Sequence, residues 1–242
     1  MTQTLAKVIR ERYLQALERI ERSARSARRD PAAVQLVVVT KKHPLDVVHA
    51  AIEAGARDLG ENYPEEGAAK IDAIGHLNGL RWHMIGHVQS RKADLAASRF
   101  SLIHTIDSLK LATRLDHFAA VEGRRLPVLI EVNLSGEASK FGYAASDETR
   151  WDVLRPEFEK LVTLPNLDVR GLMTMPPYAP DPEASRPFFR RMRTLQEYLE
   201  KHLTQATWLE LSMGTSADFA VAVEEGATHV RIGTAILGAR ES

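Results

Sequence analysis

The chain has 242 residues, with 32 Lys and Arg against 32 Asp and Glu, 44% hydrophobic residues and no cysteine. The balanced charge argues against a partner found by bulk electrostatics, such as nucleic acid or an anionic membrane surface, and the absence of cysteine excludes disulfides, zinc-thiolate sites and a thiol nucleophile. The longest aliphatic run, 36–39, is far shorter than the roughly 18 residues of a membrane span, and the charged N-terminus lacks the apolar core of a signal peptide. We therefore expect a cytoplasmic protein with no nucleic-acid and no membrane partner.

The predicted elements begin with a helix and continue as alternating strands and helices. Apolar residues from Leu5 to Ile20 recur every three or four positions among Arg and Glu, which predicts an amphipathic helix over 4–28. Eight β-rich runs follow, with stretches of helical spacing between them. The predicted strands are 34–40, 56–60, 81–86, 101–106, 126–133, 167–173, 208–212 and 228–233, and the predicted helices are 44–55, 63–74, 108–121, 152–161, 182–203 and 216–226.

Eight β/α units in a chain of this size favour a closed parallel (β/α)8 barrel, a TIM barrel, over an open doubly wound sheet. No Pro- or Ser-rich linker separates the units, so we expect 1–242 to form a single domain with the β/α units over 34–233. Nine residues follow the last predicted strand, too few for a full eighth helix. The N-terminal helix is expected to cover that gap.

Two neighbouring strand ends suit a phosphate group. In such a barrel the active face lies at the C-terminal strand ends, and phosphate sites are commonly built after strands seven and eight. Here strand seven runs into SMGTS and strand eight into RIGT. The backbone N–H groups of Gly214, Gly233 and Thr234, with the hydroxyls of Ser212 and Thr234, would bind such a group. Either segment alone could be only a helix cap or a turn, but both together predict a phosphate site.

The first predicted strand ends in two lysines, Lys41 and Lys42. Because side chains alternate along a strand, one of them is expected to point into the barrel mouth and the other away from it. An amine held in an apolar mouth has a lowered pKa and can attack a carbonyl to form a Schiff base. A pair of solvated lysines is the ordinary alternative. An amine beside a phosphate site, however, matches pyridoxal 5′-phosphate (PLP), which carries both an aldehyde and a phosphate.

Motifs at successive strand ends resemble one known family along nearly the whole chain. They are LVVVTKKHP, DLGENYPEE, WHMIGHVQSRK, IHTIDSLKLATRL, VLIEVNLSGEASKFG, VRGLMTM and LSMGTSADFAVAVEEGATHVRIGTAILGAR. With them the chain resembles the pyridoxal phosphate homeostasis proteins, whose barrel is similar to the N-terminal domain of alanine racemase. The resemblance implies PLP as cofactor and a role in PLP homeostasis, in which free PLP is limited or delivered to PLP-dependent apo-enzymes without robust catalysis.

The same resemblance implies roles for individual residues. The family's lysine is followed by two residues and a proline, which makes Lys41 the Schiff-base residue and Lys42 its outward neighbour. Arg231 would approach the pyridine nitrogen, and Asn62 and His83 would belong to the cofactor pocket. The implied cofactor-binding set is Lys41, Asn62, His83, Ser212, Gly214, Arg231, Gly233 and Thr234, with the phosphate at Ser212, Gly214, Gly233 and Thr234. No catalytic residue and no metal ligand is expected.

Three functions stay open at this point. A cation such as Arg231 beside the pyridine nitrogen opposes ring protonation and weakens the ring as an electron sink. The racemases that the barrel resembles take a second acid/base from another domain, which we expect to be absent because the chain ends at Ser242. Both points favour a non-catalytic, monomeric PLP-binding regulator or carrier. The alternatives are a low-activity PLP-dependent amino-acid racemase and a phosphosugar aldolase that uses Lys41.

Overall fold

A computed structural model gives the structure of the protein and describes residues 2–239. Residue 1 and residues 240–242, the ends of the predicted domain, lie outside the described residues. Within 2–239 the strands are Gln35–Val39 (β1), Asp58–Glu61 (β2), Arg81–Met84 (β3), Leu102–Ile106 (β4), Leu126–Asn133 (β5), Tyr143–Ala144 (β6), Leu167–Met173 (β7), Glu210–Thr215 (β8) and His229–Ile232 (β9). The α-helices in the same range are Thr2–Ser26 (α1), Leu45–Glu53 (α2), Pro64–Ile74 (α3), Ala93–Arg99 (α4), Leu109–Val121 (α5), Trp151–Val162 (α6), Arg186–His202 (α7), Phe219–Glu224 (α8) and Thr234–Leu237 (α9).

All of these strands except β6 form a closed parallel barrel. Their order is β4-β3-β2-β1-β9-β8-β7-β5, and β4 also pairs with β5, which closes the ring. Helices connect the strands on the outside, as parallel strands require. The predicted (β/α)8 barrel is therefore confirmed.

The N-terminal helix α1 covers the barrel where the last unit is short. Its buried residues include Ile9, Ala16, Ile20 and Ala24, which lie on one face of the helix. This face packs against α2, α8 and α9, and α9 has only four residues. The structure thus bears out the expectation that the first helix fills the gap left by the last.

Three of the labelled elements were not predicted, namely α4, β6 and the four-residue helix α9. Helix α4 has seven residues, too few to show a clear period, although Ala93, Ala96 and Ala97 are buried. Strand β6 has two residues and pairs with Val132 and Asn133 outside the barrel. Elements this short are decided by their tertiary contacts rather than by a sequence pattern.

The seventh barrel strand and the helix before it begin later than predicted. The prediction of 208–212 was wrong at both ends, because β8 begins at Glu210 and continues to Thr215. Trp208 has φ 52, is fully buried, and donates from Nε1 to the Leu203 carbonyl at 2.7 Å, so it anchors a loop. The first residues of the predicted helix 182–203 form a 3₁₀ turn, and α7 begins only at Arg186.

The inside of the barrel is polar. His104 on β4 bonds Ser212 on β8, and since these strands are not neighbours in the sheet, the contact crosses the interior. Six polar or charged side chains there are buried, namely Asp58, His83, His104, Ser212, His229 and Arg231. Most apolar residues pack between strands and helices, and Leu102, Leu129 and Met173 form a separate small cluster. Among the helices described, none has the length and apolar character needed to cross a bilayer.

Candidate functional site

The two lysines at the end of β1 differ in their exposure. Lys41 is half-buried and Lys42 is exposed. Lys42 has φ 58, in the left-handed region, and its backbone N–H donates to the Glu66 carboxylate. The His43 N–H donates to the Thr40 carbonyl at 3.1 Å and completes the turn. This turn leaves Lys41 as the more enclosed amine of the pair.

A buried ion pair lies behind this turn. Glu61 is completely buried, and its Oε1 accepts from Thr40 Oγ1 at 2.6 Å and from Lys70 Nζ at 2.8 Å. Lys70 Nζ also donates to the Thr40 carbonyl at 2.7 Å and to Glu66 Oε1 at 2.7 Å. Burial raises the pKa of Glu61, and the hydrogen bonds from Lys70 and Thr40 oppose that rise. The cluster therefore holds the residue that precedes Lys41.

The loops after β8 and β9 form a cradle of backbone donors. The N–H groups of Gly233 and Ala235 lie 3.3 Å and 3.4 Å from Ser216 Oγ. A Cβ atom on Gly233 would lie 3.2 Å from the Cβ of Val39, so β1 packs closely against this loop. Thr234, between the two N–H groups, is exposed. Of the predicted phosphate site, Gly214 thus lies near the end of β8, and Gly233 and Thr234 follow the adjacent strand β9.

The structure brings Ser212 to Arg231 rather than to Gly233. Ser212 is completely buried, and its Oγ accepts from Arg231 Nη1 and lies 2.8 Å from His104 Nδ1. Arg231 Nη2 donates to the Thr174 carbonyl at 3.0 Å. The serine at the cradle is Ser216, which the sequence reasoning missed. Its signal was present, since Ser216 is the second serine of SMGTS, beyond the glycine turn.

Arg231 remains a cation inside the barrel. Its side chain is buried, and burial lowers its pKa to about 10, which the negative charges of Glu131 and Asp218 oppose. At neutral pH the guanidinium is still protonated. A fixed positive charge therefore lies below the cradle.

His83 lies in the barrel interior, below the mouth. Its Nε2 is 2.9 Å from Asp58 Oδ1 and its Nδ1 is 2.9 Å from His104 Nε2. His87, four residues later, pairs instead with Asp107 at 2.8 Å. Within residues 2–239 no group of three or more His, Cys, Asp or Glu side chains is arranged to hold a metal ion.

A cavity of about 670 Å³ opens at the barrel mouth over β2, β3, β4, β5 and β7. Asn62, predicted for the cofactor pocket, lines it. Glu131 lines it too, and Glu131 Oε2 is enclosed without a hydrogen-bond partner among the described residues. Burial first, and then the nearby Asp107 charge, raise the pKa of Glu131 to about 7, while Arg231 opposes the rise. The cavity thus contains Asn62 and a carboxyl group that titrates near neutrality, whereas Lys41 and the cradle lie on the neighbouring strand ends of β1, β8 and β9 and do not line it.

Comparisons with known proteins agree with this geometry. The family described as alanine racemase, N-terminal domain, matches residues 14–241. The pyridoxal phosphate homeostasis protein of Pseudomonas aeruginosa is 42% identical over 233 residues, 96% of each chain. The one from Vibrio alginolyticus is 41% identical over 217 residues, covering 88% of this chain and 89% of the other.

Solved structures show the same fold. PipY of Synechococcus elongatus with PLP bound is 36% identical, with a TM-score of 0.78 over 90% of this chain and 100% of the other. Alanine racemase from Streptomyces coelicolor is 18% identical, with a TM-score of 0.68 over 96% of this chain and 58% of the other, which concerns the fold alone. The chain belongs to the alanine racemase N-terminal domain family and, within it, to the pyridoxal phosphate homeostasis proteins.

Proposed function

We propose that this protein binds PLP as a Schiff base with Lys41 and acts in PLP homeostasis, limiting or delivering free PLP without robust catalysis. Bound PLP supplies an aldehyde that a primary amine captures reversibly. The observation that carries the proposal is the position of Lys41, half-buried at the end of β1, beside the donor cradle of the neighbouring strand β9. The PLP-bound relative PipY supports the choice of cofactor.

The cradle has the shape and the donors that a phosphate needs. The N–H groups of Gly233 and Ala235 converge on Ser216 Oγ, and the same donors would bind phosphate oxygens. Gly214 has φ 92, and a Cβ atom there would lie 2.5 Å from the Cβ of Ala222. A side chain at Gly214 would therefore displace the backbone beside the cradle. The residues present fit the phosphate of PLP, with Thr234 at the exposed rim.

Arg231 supports a holding role rather than carbanion chemistry. Its guanidinium, fixed by Ser212 and the Thr174 carbonyl, would face the pyridine nitrogen and oppose protonation of the ring. A ring that is not protonated stabilises a carbanion poorly. Asn62 would contact the cofactor from the mouth, while His83 would act from the interior through His104 and Ser212.

The proposal also covers the partners, the cellular location and the oligomeric state of the protein. A reversibly held aldehyde can pass to the amine of another protein, so PLP-dependent apo-enzymes are the proposed recipients. We further propose that the protein is a cytoplasmic monomer in which 1–242 forms one domain. Size-exclusion chromatography with light scattering would test the monomer.

An absorption spectrum tests the central proposal. We expect purified protein with added PLP to show a yellow Schiff-base band that borohydride abolishes, and we expect Lys41→Ala to lack it. Lys42→Ala is the matched control and should retain the band, because Lys42 is exposed. A protein that stays colourless when PLP is added, or a band lost in Lys42→Ala but not in Lys41→Ala, would contradict the proposal.

The fold shared with alanine racemases makes weak racemisation the second candidate. PLP-loaded protein incubated with L-alanine or L-serine should leave the stereochemistry unchanged by chiral chromatography. Formation of the D-enantiomer above that of Lys41→Ala would favour the low-activity racemase.

A further inference from the structure

A chain of hydrogen bonds crosses the barrel from its underside to Arg231. Asp58 Oδ1 is 2.9 Å from His83 Nε2, and His83 Nδ1 is 2.9 Å from His104 Nε2. His104 Nδ1 is 2.8 Å from Ser212 Oγ, which also accepts from Arg231 Nη1. We name this set, Asp58, His83, His104 and Ser212, the interior relay. Each of its members is at most 8% exposed, so solvent does not compete for these bonds.

The carboxylate of Asp58 sets the direction of the relay. Hydrogen bonds from His83 and Arg81 lower the pKa of Asp58, although burial opposes them, so Asp58 is ionised at neutral pH and can only accept. His83 must therefore carry a hydrogen on Nε2. At the other end of the relay, Ser212 Oγ lies between His104 Nδ1 and Arg231 Nη1, and because Arg231 can only donate, the Ser212 hydrogen goes to His104 Nδ1. A neutral His104 then carries its hydrogen on Nε2 and donates it to His83 Nδ1.

The direction at His104 follows in the same way. His104 is completely buried, and burial above all holds its pKa well below the usual value, so it is neutral. With its hydrogen on Nε2, His104 can only accept at Nδ1, and the donor there is the Ser212 hydroxyl. The oxygen of Ser212 is left with lone pairs alone, and one of them receives Arg231 Nη1.

Reversal of the relay would change what Arg231 meets. If His83 carried its hydrogen on Nδ1, His104 would donate from Nδ1 to Ser212, whose oxygen would then accept twice. The Ser212 hydrogen would then have no acceptor within the interior relay, and Arg231 would share the Ser212 oxygen with His104. The direction of the relay therefore decides how firmly Arg231 is held.

We propose that Asp58, His83 and His104 are positioning residues that set the Ser212 oxygen as the acceptor for Arg231 and so hold this guanidinium toward the cofactor. The inference rests on the proposed function for the role of Arg231 at the pyridine nitrogen, but the direction of the relay does not depend on PLP.

The surroundings of the relay are consistent with this role. His229 packs against both histidines, at 6.1 Å from His83 and 5.6 Å from His104 between ring centroids. Burial lowers the pKa of His229 to about 3, so it adds no charge at neutral pH. Arg81 faces Asp58 from β3, and Glu210 approaches His229 from β8. Aliphatic residues usually fill such an interior, and a buried polar chain costs free energy unless every member is bonded.

The decisive variant is Asp58→Asn, which keeps the shape of the side chain. Asp58 Oδ1 lies 2.6 Å from Arg81 Nε and 2.9 Å from His83 Nε2, and Oδ2 accepts from Arg81 Nη2 at 2.8 Å, so an amide leaves at least one of these donors without an acceptor and removes the charge that holds His83. Nitrogen-15 NMR of the histidine rings should show His83 and His104 as Nε2–H tautomers in the unsubstituted protein. Asp168→Asn is the matched control, since Asp168 accepts from Arg170 at 2.7 Å on β7, outside the relay.

PLP affinity measures the consequence for Arg231. We expect Asp58→Asn to weaken PLP binding on the order of 10-fold in equilibrium dialysis, as changes behind a binding residue commonly do, and Asp168→Asn to leave it unchanged. Ser212→Ala cuts the relay next to Arg231 and should weaken binding to a similar degree. Adding Asp58→Asn to Ser212→Ala should then change nothing further, because the two substitutions act through one chain.

Each outcome decides the inference. An Nδ1–H tautomer of His83 or His104 in the unsubstituted protein would overturn the direction of the relay. Unchanged PLP affinity in Asp58→Asn, or additive effects of the two substitutions, would overturn the positioning role. If the unsubstituted protein binds no PLP, the proposed function fails, while the tautomer spectra still test the relay. If Asp58→Asn does not fold, Ser212→Ala carries the test, because unchanged PLP affinity in that variant would overturn the proposal.

Discussion

Two glutamates near the barrel mouth, the buried Glu61 at the end of β2 and the half-buried Glu131 on β5, differ in their partners. Glu61 is completely buried, and its Oε1 accepts from Thr40 and from Lys70. Glu131 lines the cavity, and its enclosed Oε2 has no partner among the residues described. Burial raises the pKa of both, that of Glu131 to about 7, and the hydrogen bonds from Lys70 and Thr40 oppose the rise for Glu61. Glu61, which has a cation within hydrogen-bond distance, is thus a structural carboxylate. Glu131, which has none there, can change its charge at the site.

The largest effect is expected from removing that cation. Lys70→Met leaves Glu61 as an uncompensated buried charge and should lower the free energy of unfolding by about 3–5 kcal/mol, measured by urea denaturation. The double variant Lys70→Met, Glu61→Leu should recover most of the loss, since no buried charge is then left alone. A double variant as unstable as Lys70→Met would show that packing, and not the ion pair, distinguishes this region.

Glu131→Gln should stabilise the protein, and more so at pH 8 than at pH 5. The folded pKa of about 7 exceeds the ordinary value of 4.5, so between these values the folded state holds a proton that the unfolded state has lost. Stability is therefore lost as pH rises through that window, by up to about 3 kcal/mol at roughly 1.4 kcal/mol per unit. Glutamine does not titrate and removes this loss.

Thermal unfolding at the two pH values measures the difference. The control is Glu137→Gln on the loop after β5, because hydrogen bonds from Lys140 and Ser135 lower the pKa of Glu137 below its ordinary value of 4.5. Its effect on stability should therefore be nearly the same at pH 5 and at pH 8. A gain in stability that is equal at pH 5 and pH 8 would contradict the assigned direction for Glu131.

The smallest effect concerns the neutral partner of Glu61. Thr40→Val removes the hydroxyl that donates to Glu61 Oε1 at 2.6 Å and should cost about 2 kcal/mol, the size of a hydrogen bond to a charged group. Thr40→Ser retains the hydroxyl and should lose less. Urea denaturation of the three proteins would show whether the hydroxyl matters, and equal losses in both variants would mean that it does not.

The lysine pair shows how far sequence reasoning reaches at the site. The run of aliphatic residues before Lys41 and Lys42 locates them at a strand end, because strand propensity is local. Their different exposure depends on the left-handed turn at Lys42 and its bond to Glu66, which lies 24 residues further along the chain. No spacing in the sequence indicates that contact.

The serines show the same limit. SMGTS locates a turn after a strand, but it does not indicate which serine faces the cradle. β8 extends through Gly214 to Thr215, which leaves Ser212 in the interior with Arg231 and brings Ser216 to Gly233. The strand was predicted to begin too early because tryptophan is common in strands, whereas the backbone of Trp208 has a positive φ and belongs to a loop.

The sequence by itself determined the order of eight β/α units, the covering N-terminal helix and the motifs at the strand ends, because periodicity and turn residues act over a few positions. Only the tertiary structure decided what meets inside the barrel. His104 and Ser212 are 108 residues apart in the chain and lie on strands that do not pair. Closure of the barrel brings His104 Nδ1 to 2.8 Å from Ser212 Oγ, because side chains from strands across the barrel share one interior.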